Sequence, residues 1–198
     1  MALKILILQG SEDWKVARNA RRIVEEQFFD IVLVCGTSNY REILDLDKKI
    51  LSIPLLEDDI YIIKILKKRE SYIAGVWHQF EKDICIGGID SKNPFQNIER
   101  LRLKRPSECR YAIILTSYMP KYVTCSRIKL LNKEVSIGLH SLLTLAKGFT
   151  KALIISCTSN IEKELCIERL EHTTLLLATK KPMTQINVDA KTLEIEVI

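Results

Sequence analysis

The sequence has 198 residues, of which 47% are hydrophobic and 28% charged, and its formal net charge is +5. This composition excludes a disordered or fibrous protein and favours one globular domain covering residues 1–198. The small positive excess does not by itself indicate a nucleic-acid-binding protein, and the apolar runs are too short to span a membrane.

The first half of the chain alternates between apolar strands and amphipathic helices. Residues 4–8 form an apolar run that ends in polar residues, which predicts a buried central strand. Apolar side chains at helical spacing predict a helix over 13–28, and residues 31–35 are the next buried strand. This order predicts a right-handed crossover between parallel strands, with the loop after residue 8 at the sheet edge where ligands bind.

The remaining elements are predicted in the same way. A short helix should end near residue 48, a strand should cover 50–53, and a helix should start near 60 and end in basic residues near 69. In the second half, the pattern predicts short antiparallel strands over 71–77 and 83–86, with Gly87-Gly88 as a turn, and then a helix that opens at 93–95. It further predicts a strand over 110–115, a helix over 135–149 and a strand over 152–155. The chain should end in a hairpin formed by 183–189 and 193–198. We therefore expect an α/β sandwich of two sheets with flanking helices and a C-terminal β-hairpin.

The chain has six cysteines and no C-x-x-C pair, so a zinc knuckle or thioredoxin-type motif is absent. Cys35 and Cys85 lie in apolar runs and are interpreted as buried free thiols. Whether any of these cysteines form a disulfide is left open, because the pairing cannot be deduced from their spacing. Residues 1–8 lack a secretory signal pattern, which predicts a cytoplasmic protein, and the richness in Ile, Lys and Glu favours a thermophilic source.

Five polar loops each follow a predicted strand. They read Gln9-Gly10-Ser11-Glu12, Gly36-Thr37-Ser38-Asn39, Pro54-Leu55-Leu56-Glu57-Asp58, Thr116-Ser117-Tyr118-Met119-Pro120 and Ser156-Cys157-Thr158-Ser159. In their order, and in a Gly-Gly turn followed by a Pro-Phe segment, they resemble the loops of calcineurin-like metallophosphoesterases of the compact archaeal type. The resemblance covers nearly the whole chain and implies the two-sheet sandwich of that family.

The resemblance also implies which positions correspond to the family's metal ligands. These positions are Gly10, Glu12, Thr37, Leu56, Asp58, Ser117, Cys157 and Ser159, and a shift of one residue would instead select Gln9 and Ser11. A two-metal site needs a bridging carboxylate and several histidines. Thr37, Leu56 and Ser117 supply neither, whereas Asp58 is kept. We therefore expect a degenerate site with no metal cofactor and no catalytic residue.

The resulting hypothesis is a non-catalytic, phosphoesterase-like binding or scaffold module with a protein partner. The expected partner surface comprises Leu55, Leu56, Tyr118 and Met119. The alternative is a divergent phosphoesterase in which Mn²⁺ or Mg²⁺ is held by a cluster of carboxylates, namely Glu12, Asp13, Glu57, Asp58 and Asp59. The same carboxylates also fit a purely structural role at two helix N-termini.

Other reactive side chains have no recognisable partner in the sequence. Ser117 and Cys157 lack an adjacent base, and His78, His140 and His172 are scattered, with His140 expected in the middle of a helix. Two basic tracts are candidate phosphate or nucleic-acid contacts, and solvated surface is the alternative interpretation. The tracts contain Arg100, Arg102, Lys104, Arg105 and Arg110, and Lys121, Arg127, Lys129 and Lys133. The oligomeric state is left open.

Overall fold

A computed structural model describes residues 2–10, 13–36, 40–46, 48–55, 58–130, 133–159, 161–170 and 174–198. The strands are β1 (Ala2–Gln9), β2 (Ile31–Cys35), β3 (Ile50–Ile53), β4 (Trp77–Gln79), β5 (Ile84–Ile89), β6 (Tyr111–Thr116), β7 (Arg127–Leu130), β8 (Lys133–Ser136), β9 (Lys151–Cys157), β10 (Leu165–Leu170), β11 (Thr174–Thr179), β12 (Met183–Asp189) and β13 (Ile195–Val197). The helices are α1 (Trp14–Glu26), α2 (Ile60–Lys68), α3 (Pro94–Leu103) and α4 (Ser141–Ala146).

Two mixed sheets form the centre of the protein. The first sheet has the strand order β13-β12-β1-β2-β3, in which β1, β2 and β3 are parallel and β12 and β13 are antiparallel to their neighbours. The second has the order β10-β11-β9-β6-β5-β4, with four parallel strands in the middle and an antiparallel strand at each edge. The prediction of β1 as a central strand and of a C-terminal hairpin is confirmed.

The two sheets pack face to face, and helices cover both outer faces. Alternate apolar residues of both sheets share one core, which includes Ile5 and Leu33 from the first sheet and Ile113 and Ile155 from the second. On the outer face of the first sheet, α1 and α2 contribute Ala20, Val24, Ile62 and Leu66 to a second core. A third core holds α3 and α4 against the second sheet through Ile98, Leu101, Leu142 and Leu145. The expected α/β sandwich with flanking helices is therefore present.

A short segment over residues 71–75 joins the two sheets. The Ser52 amide in β3 donates to the Ser71 carbonyl at 2.7 Å, and the Gly88 amide in β5 donates to the Ile73 carbonyl at 3.0 Å. These hydrogen bonds protect one edge of the sandwich, because they occupy backbone groups that an edge strand would otherwise leave unpaired. Among the described residues, no helix is long and apolar enough to cross a membrane.

Gly87 and Gly88 do not form the predicted turn. Both lie within β5, where a Cβ atom at Gly88 would overlap the Ile53 side chain of the facing sheet, and one at Gly87 would lie 2.8 Å from the Trp77 ring. The glycines are needed because neighbouring groups come very close to this strand on both faces. The Gly-Gly signal therefore marks close packing instead of a reversal of the chain.

The prediction of a helix over 135–149 is also wrong for the first half of that range. β7 (Arg127–Leu130) and β8 (Lys133–Ser136) pair antiparallel, and α4 covers only Ser141–Ala146. A Cβ atom at Gly138 would overlap the Met119 carbonyl, so the chain between hairpin and helix is pressed against another loop. His140 consequently lies at the N-terminus of α4 and not in the middle of a helix. Likewise, residues 41–46 form turns and a bend where a short helix was expected.

Two disulfides connect the second half of the chain. Cys85 in β5 is bonded to Cys109 just before β6, and Cys125 is bonded to Cys166 in β10. The interpretation of Cys85 as a free thiol was therefore wrong. Cys109 lies just before β6, the strand next to β5, and this brings it beside Cys85. Cys35 and Cys157 are free and buried.

Candidate functional site

Loops from both sheets meet at one edge of the sandwich, which we call the loop edge. It is formed by the segments that follow β1, β2, β3, β5, β6 and β9. One contact joins two loops of the first sheet, and a second contact shows that both sheets share this edge. The Tyr40 hydroxyl, after β2, donates to the Gln9 carbonyl at 2.7 Å, and the Lys92 ammonium, after β5, donates to the Asp58 carbonyl at 3.1 Å. The sequence therefore correctly predicted where loops gather.

Two glycines and a leucine fill the position where the first loops meet. The Gly10 amide donates to the Cys35 carbonyl at 2.7 Å, which brings the backbone after β1 against the backbone after β2. A Cβ atom at Gly36 would lie 2.7 Å from Leu55 Cδ1, and one at Gly10 would lie 3.6 Å from the same atom. Gly10, Gly36 and Leu55 thus form a tight apolar contact that offers no side-chain ligand for a metal.

The retained carboxylate, Asp58, has a structural contact. Its side chain is 5% exposed, and Oδ2 accepts a 2.6 Å hydrogen bond from the Leu55 amide. This bond holds the turn that carries Leu55 onto the glycines. The other positions implied in the first three loops, Glu12, Thr37 and Leu56, lie outside the described residues.

Sequence reasoning missed a second buried carboxylate at the loop edge. Asp90 follows β5 and is 2% exposed, and its Oδ1 accepts hydrogen bonds from the Lys92 amide (3.1 Å), the Asn93 amide (2.9 Å) and Asn97 Nδ2 (2.8 Å). The carboxylate therefore satisfies the amides that lead into α3. The sequence signal that could have revealed this role is an aspartate four residues before Pro94, because Pro94 lies at the start of a predicted helix.

Tyr72 also contacts this carboxylate. Its hydroxyl lies 3.5 Å from Asp90 Oδ2, and burial, reinforced by the charge of Asp90 and this contact, raises the pKa of Tyr72. The phenol is therefore kept protonated and acts as a donor. Asp90 is surrounded by donors from its own protein, so its lone pairs are used in holding the loop.

The implied positions in the last two loops have no activated nucleophile. Ser117 Oγ is buried without a hydrogen-bond partner among the described residues, so no base polarises it there. Cys157 is 3% exposed and packs in the core between the sheets. Ser159 is exposed. Neighbouring Ser156 donates to the Tyr118 carbonyl at 2.9 Å, which ties the two loops together.

The predicted partner surface is smaller than expected. Met119 is 3% exposed and packs with the second-sheet helices, so including it was wrong. Tyr118 is half-buried, and its hydroxyl donates to the Ser91 carbonyl at 3.2 Å. Leu55 is half-buried, and Leu56 is outside the described residues.

The acidic residues near the helix starts act as caps. Asp13 accepts from the Lys15 amide and Asp59 from the Tyr61 amide, each at 2.8 Å, as expected for N-caps of α1 and α2. Glu12 and Glu57 fall in the part of the chain that is not described. Within the described part, no three His, Cys, Asp or Glu side chains are grouped so as to hold a metal. The residues present there do not fit the two-metal centre implied by the resemblance.

The two described histidines belong to different elements of the fold. His78 lies in β4, and burial together with the charge of Lys49 lowers its pKa. His140 makes an edge contact with the Tyr122 ring, at 6.2 Å between ring centres. His172 lies outside the described residues.

Several side chains of the two basic tracts make contacts within the protein. Arg102 pairs with Glu99 at 2.9 Å, and Arg127 lies 3.8 Å from Glu134. Arg105 lies over the Phe149 ring and Lys121 over the Tyr122 ring. Arg100 and Lys104 are exposed at the end of α3, and Lys129 lies in β7. Much of the charge of these tracts is thus engaged within the protein.

Comparison with known proteins supports the fold and goes no further. Searches of protein-family models and of curated proteins find no match to the chain. One solved crystal structure of an uncharacterised protein has a similar fold, with a TM-score of 0.69 and 12% sequence identity. The match covers 100% of this chain and 99% of the other. At this identity the similarity shows a shared α/β fold alone.

Proposed function

We propose that this protein is a non-catalytic binding or scaffold module built on a phosphoesterase-like sandwich. The observation that carries the proposal is the apolar contact of Leu55 with Gly10 and Gly36 at the loop edge. In a two-metal phosphoesterase this edge would need converging carboxylates and imidazoles to bind metals and activate water. In the described part of this edge, the backbone after β1 lies against the backbone after β2, and Leu55 covers both.

The hydrogen bonds of the nearby polar groups support the same proposal. Asp58 accepts from the Leu55 amide, and Asp90 accepts from the start of α3 and from Asn97. Both buried carboxylates thus hold loops in place. A loop edge whose two buried carboxylates are used internally is suited to presenting a fixed surface to a protein partner.

A hydrolysis assay tests the proposal. Purified protein is incubated with p-nitrophenyl phosphate, bis-p-nitrophenyl phosphate and cyclic nucleotides, with added Mn²⁺ or Mg²⁺. We expect no turnover above the buffer rate. Turnover by the native protein that is lost in Asp58→Ala, while Asp59→Ala remains active, would overturn the proposal and favour a carboxylate-based phosphoesterase.

A further inference from the structure

A basic groove runs along α1, on the outer helical layer of the first sheet, and it borders the loop edge at the start of α1 and at the segment after β2. Its volume is about 1260 Å³. Five basic and two acidic side chains line it, which gives a formal charge of +3, with Trp14 at the start of the helix. The charged residues are Lys15, Arg18, Arg21, Arg22, Arg41, Glu25 and Glu42.

Both acidic side chains of the groove are already paired. Arg21 Nε lies 2.8 Å from Glu25, and Arg21 Nη1 lies 2.8 Å from Glu42, which also ties α1 to the segment after β2. Among the described residues, Lys15, Arg18, Arg22 and Arg41 have no ion-pair partner. The groove therefore presents four cations that have no ion pair, beside an Arg21–Glu25–Glu42 group of formal charge −1.

Aromatic rings are exposed beside these cations. Trp14 is 64% exposed, although a tryptophan at a helix N-terminus gains little from contact with water. At the other side of the groove, the Arg41 guanidinium lies 5.7 Å from the centre of the Tyr61 ring, and Tyr61 is 56% exposed. Cations that alternate with exposed aromatic faces are the arrangement that binds both phosphates and unstacked bases.

We propose that the α1 groove binds single-stranded nucleic acid, with Trp14 stacking on a base while Arg18 and Arg22 contact phosphates. An acidic peptide would use the cations but leave the face of Trp14 unused. A duplex would offer phosphates but keep its bases stacked and out of reach of the indole. The 13 residues of α1 span about 20 Å, enough for a few nucleotides.

The groove and the basic tract of α3 lie on opposite faces of the sandwich, because α1 packs on the first sheet and α3 on the second. The two faces can therefore be tested against each other. The proposal also stands apart from the proposed function, since Gly10, Gly36 and Leu55 do not line the groove.

Fluorescence anisotropy with labelled oligonucleotides of about 12 nucleotides, both RNA and DNA, measures the binding. We expect Trp14→Ala to weaken binding about tenfold, since stacking on one base has an effect of this order. The double variant Arg18→Glu/Arg22→Glu should weaken it by more. With the two phosphates contacted by Arg18 and Arg22, the slope of log affinity against log salt should be about −1.4.

The matched control is Arg102→Glu/Lys104→Glu, which changes the charge by the same amount on α3. We expect this variant to bind like the native protein. Binding that is lost in the α3 variant and kept in the α1 variant would overturn the proposal. Equal competition by poly-glutamate, or equal affinity for a duplex, would also overturn it by showing that stacking plays no part.

Intrinsic fluorescence gives a second readout that does not depend on charge. The chain has two tryptophans, and Trp77 is half-buried with its indole N–H donating to the Leu101 carbonyl at 2.8 Å. In a Trp77→Phe background the emission reports Trp14, and unlabelled oligonucleotide should quench it over the concentration range seen by anisotropy. Saturable anisotropy without quenching would contradict stacking on Trp14.

Discussion

The side chain of Leu55 lies directly against Gly36. A Cβ atom at residue 36 would come within 2.7 Å of Leu55 Cδ1, and Gly36 has a positive φ of 88°. The contact therefore depends on glycine twice, for its missing side chain and for its backbone conformation. It occupies the loop edge at the position where the sequence led us to expect a dismantled site.

Gly36→Ala is predicted to destabilise the fold by about 2–4 kcal/mol, from the left-handed backbone and the overlap with Leu55 together. Chemical denaturation measures the change. Gly10→Ala is the matched control, because its Cβ would make ordinary 3.6 Å contacts, and it should cost less than about 1 kcal/mol. Equal stability of the two variants would contradict the close packing of Leu55 on Gly36.

The fold was predictable where the hydrophobic pattern is local. The strand, helix and strand over the first 35 residues and the final hairpin follow from periodicities of 3.6 and 2, and the structure contains both. The pattern failed where tertiary contacts decide. Gly87 and Gly88 resemble a turn, but they lie in a strand because neighbouring groups press on both of its faces.

The sequence predicted the position of the loop edge but not the hydrogen bonds within it. That loops gather at one edge follows from parallel strands alone. The role of Asp90 depends on Asn97, which reaches it only after α3 has folded back over the sheet. The burial of Met119 likewise depends on packing against the helices of the second sheet, which its own loop sequence does not reveal.

Asp90→Ala should destabilise the protein by about 2–4 kcal/mol, because it leaves the Asn97 side-chain amide and the backbone amides of Lys92 and Asn93 without an acceptor. Asp90→Asn should cost less, since its carbonyl oxygen can still accept. Asp59→Ala, which removes an exposed cap from α2, should cost about 1 kcal/mol. Thermal unfolding compares the three, and an Asp90→Ala effect no larger than that of Asp59→Ala would show that the buried network is unimportant.

Tyr40 predicts a loss of stability at alkaline pH. Burial, reinforced by Cys157, raises the pKa of Tyr40 to about 12. This pKa is above the value of about 10 that a tyrosine has in an unfolded chain. The contribution of Tyr40 to the free energy of unfolding is therefore fully present below about pH 10 and is lost as the pH rises towards 12. The total loss is about 2–3 kcal/mol. Tyr40→Phe should lack this component.

The measurement is the free energy of unfolding of both proteins near pH 9 and pH 11. At the lower pH, Tyr40→Phe should be the less stable protein, since it loses the hydrogen bond to the Gln9 carbonyl. At the higher pH the difference should shrink. A difference that is independent of pH would contradict a buried, protonated Tyr40.

The two disulfides predict a simple labelling result. Four of the six cysteines are bonded, so unfolded protein without reductant should react with iodoacetamide at Cys35 and Cys157 alone. After reduction all six should react. Cys85→Ala/Cys109→Ala should lower the free energy of unfolding by about 3 kcal/mol. Reaction of all six cysteines before reduction would contradict both bonds.

The central claim is that the loop edge is held by packing and internal hydrogen bonds, without metal ions. Equilibrium dialysis against Mn²⁺, with bound metal counted per chain, tests it most directly, and unfolding with and without chelator gives the linked change in stability. We predict no saturable binding and no shift in the midpoint of unfolding. One or two Mn²⁺ per chain, lost together with the stabilisation in Asp58→Ala, would contradict the account.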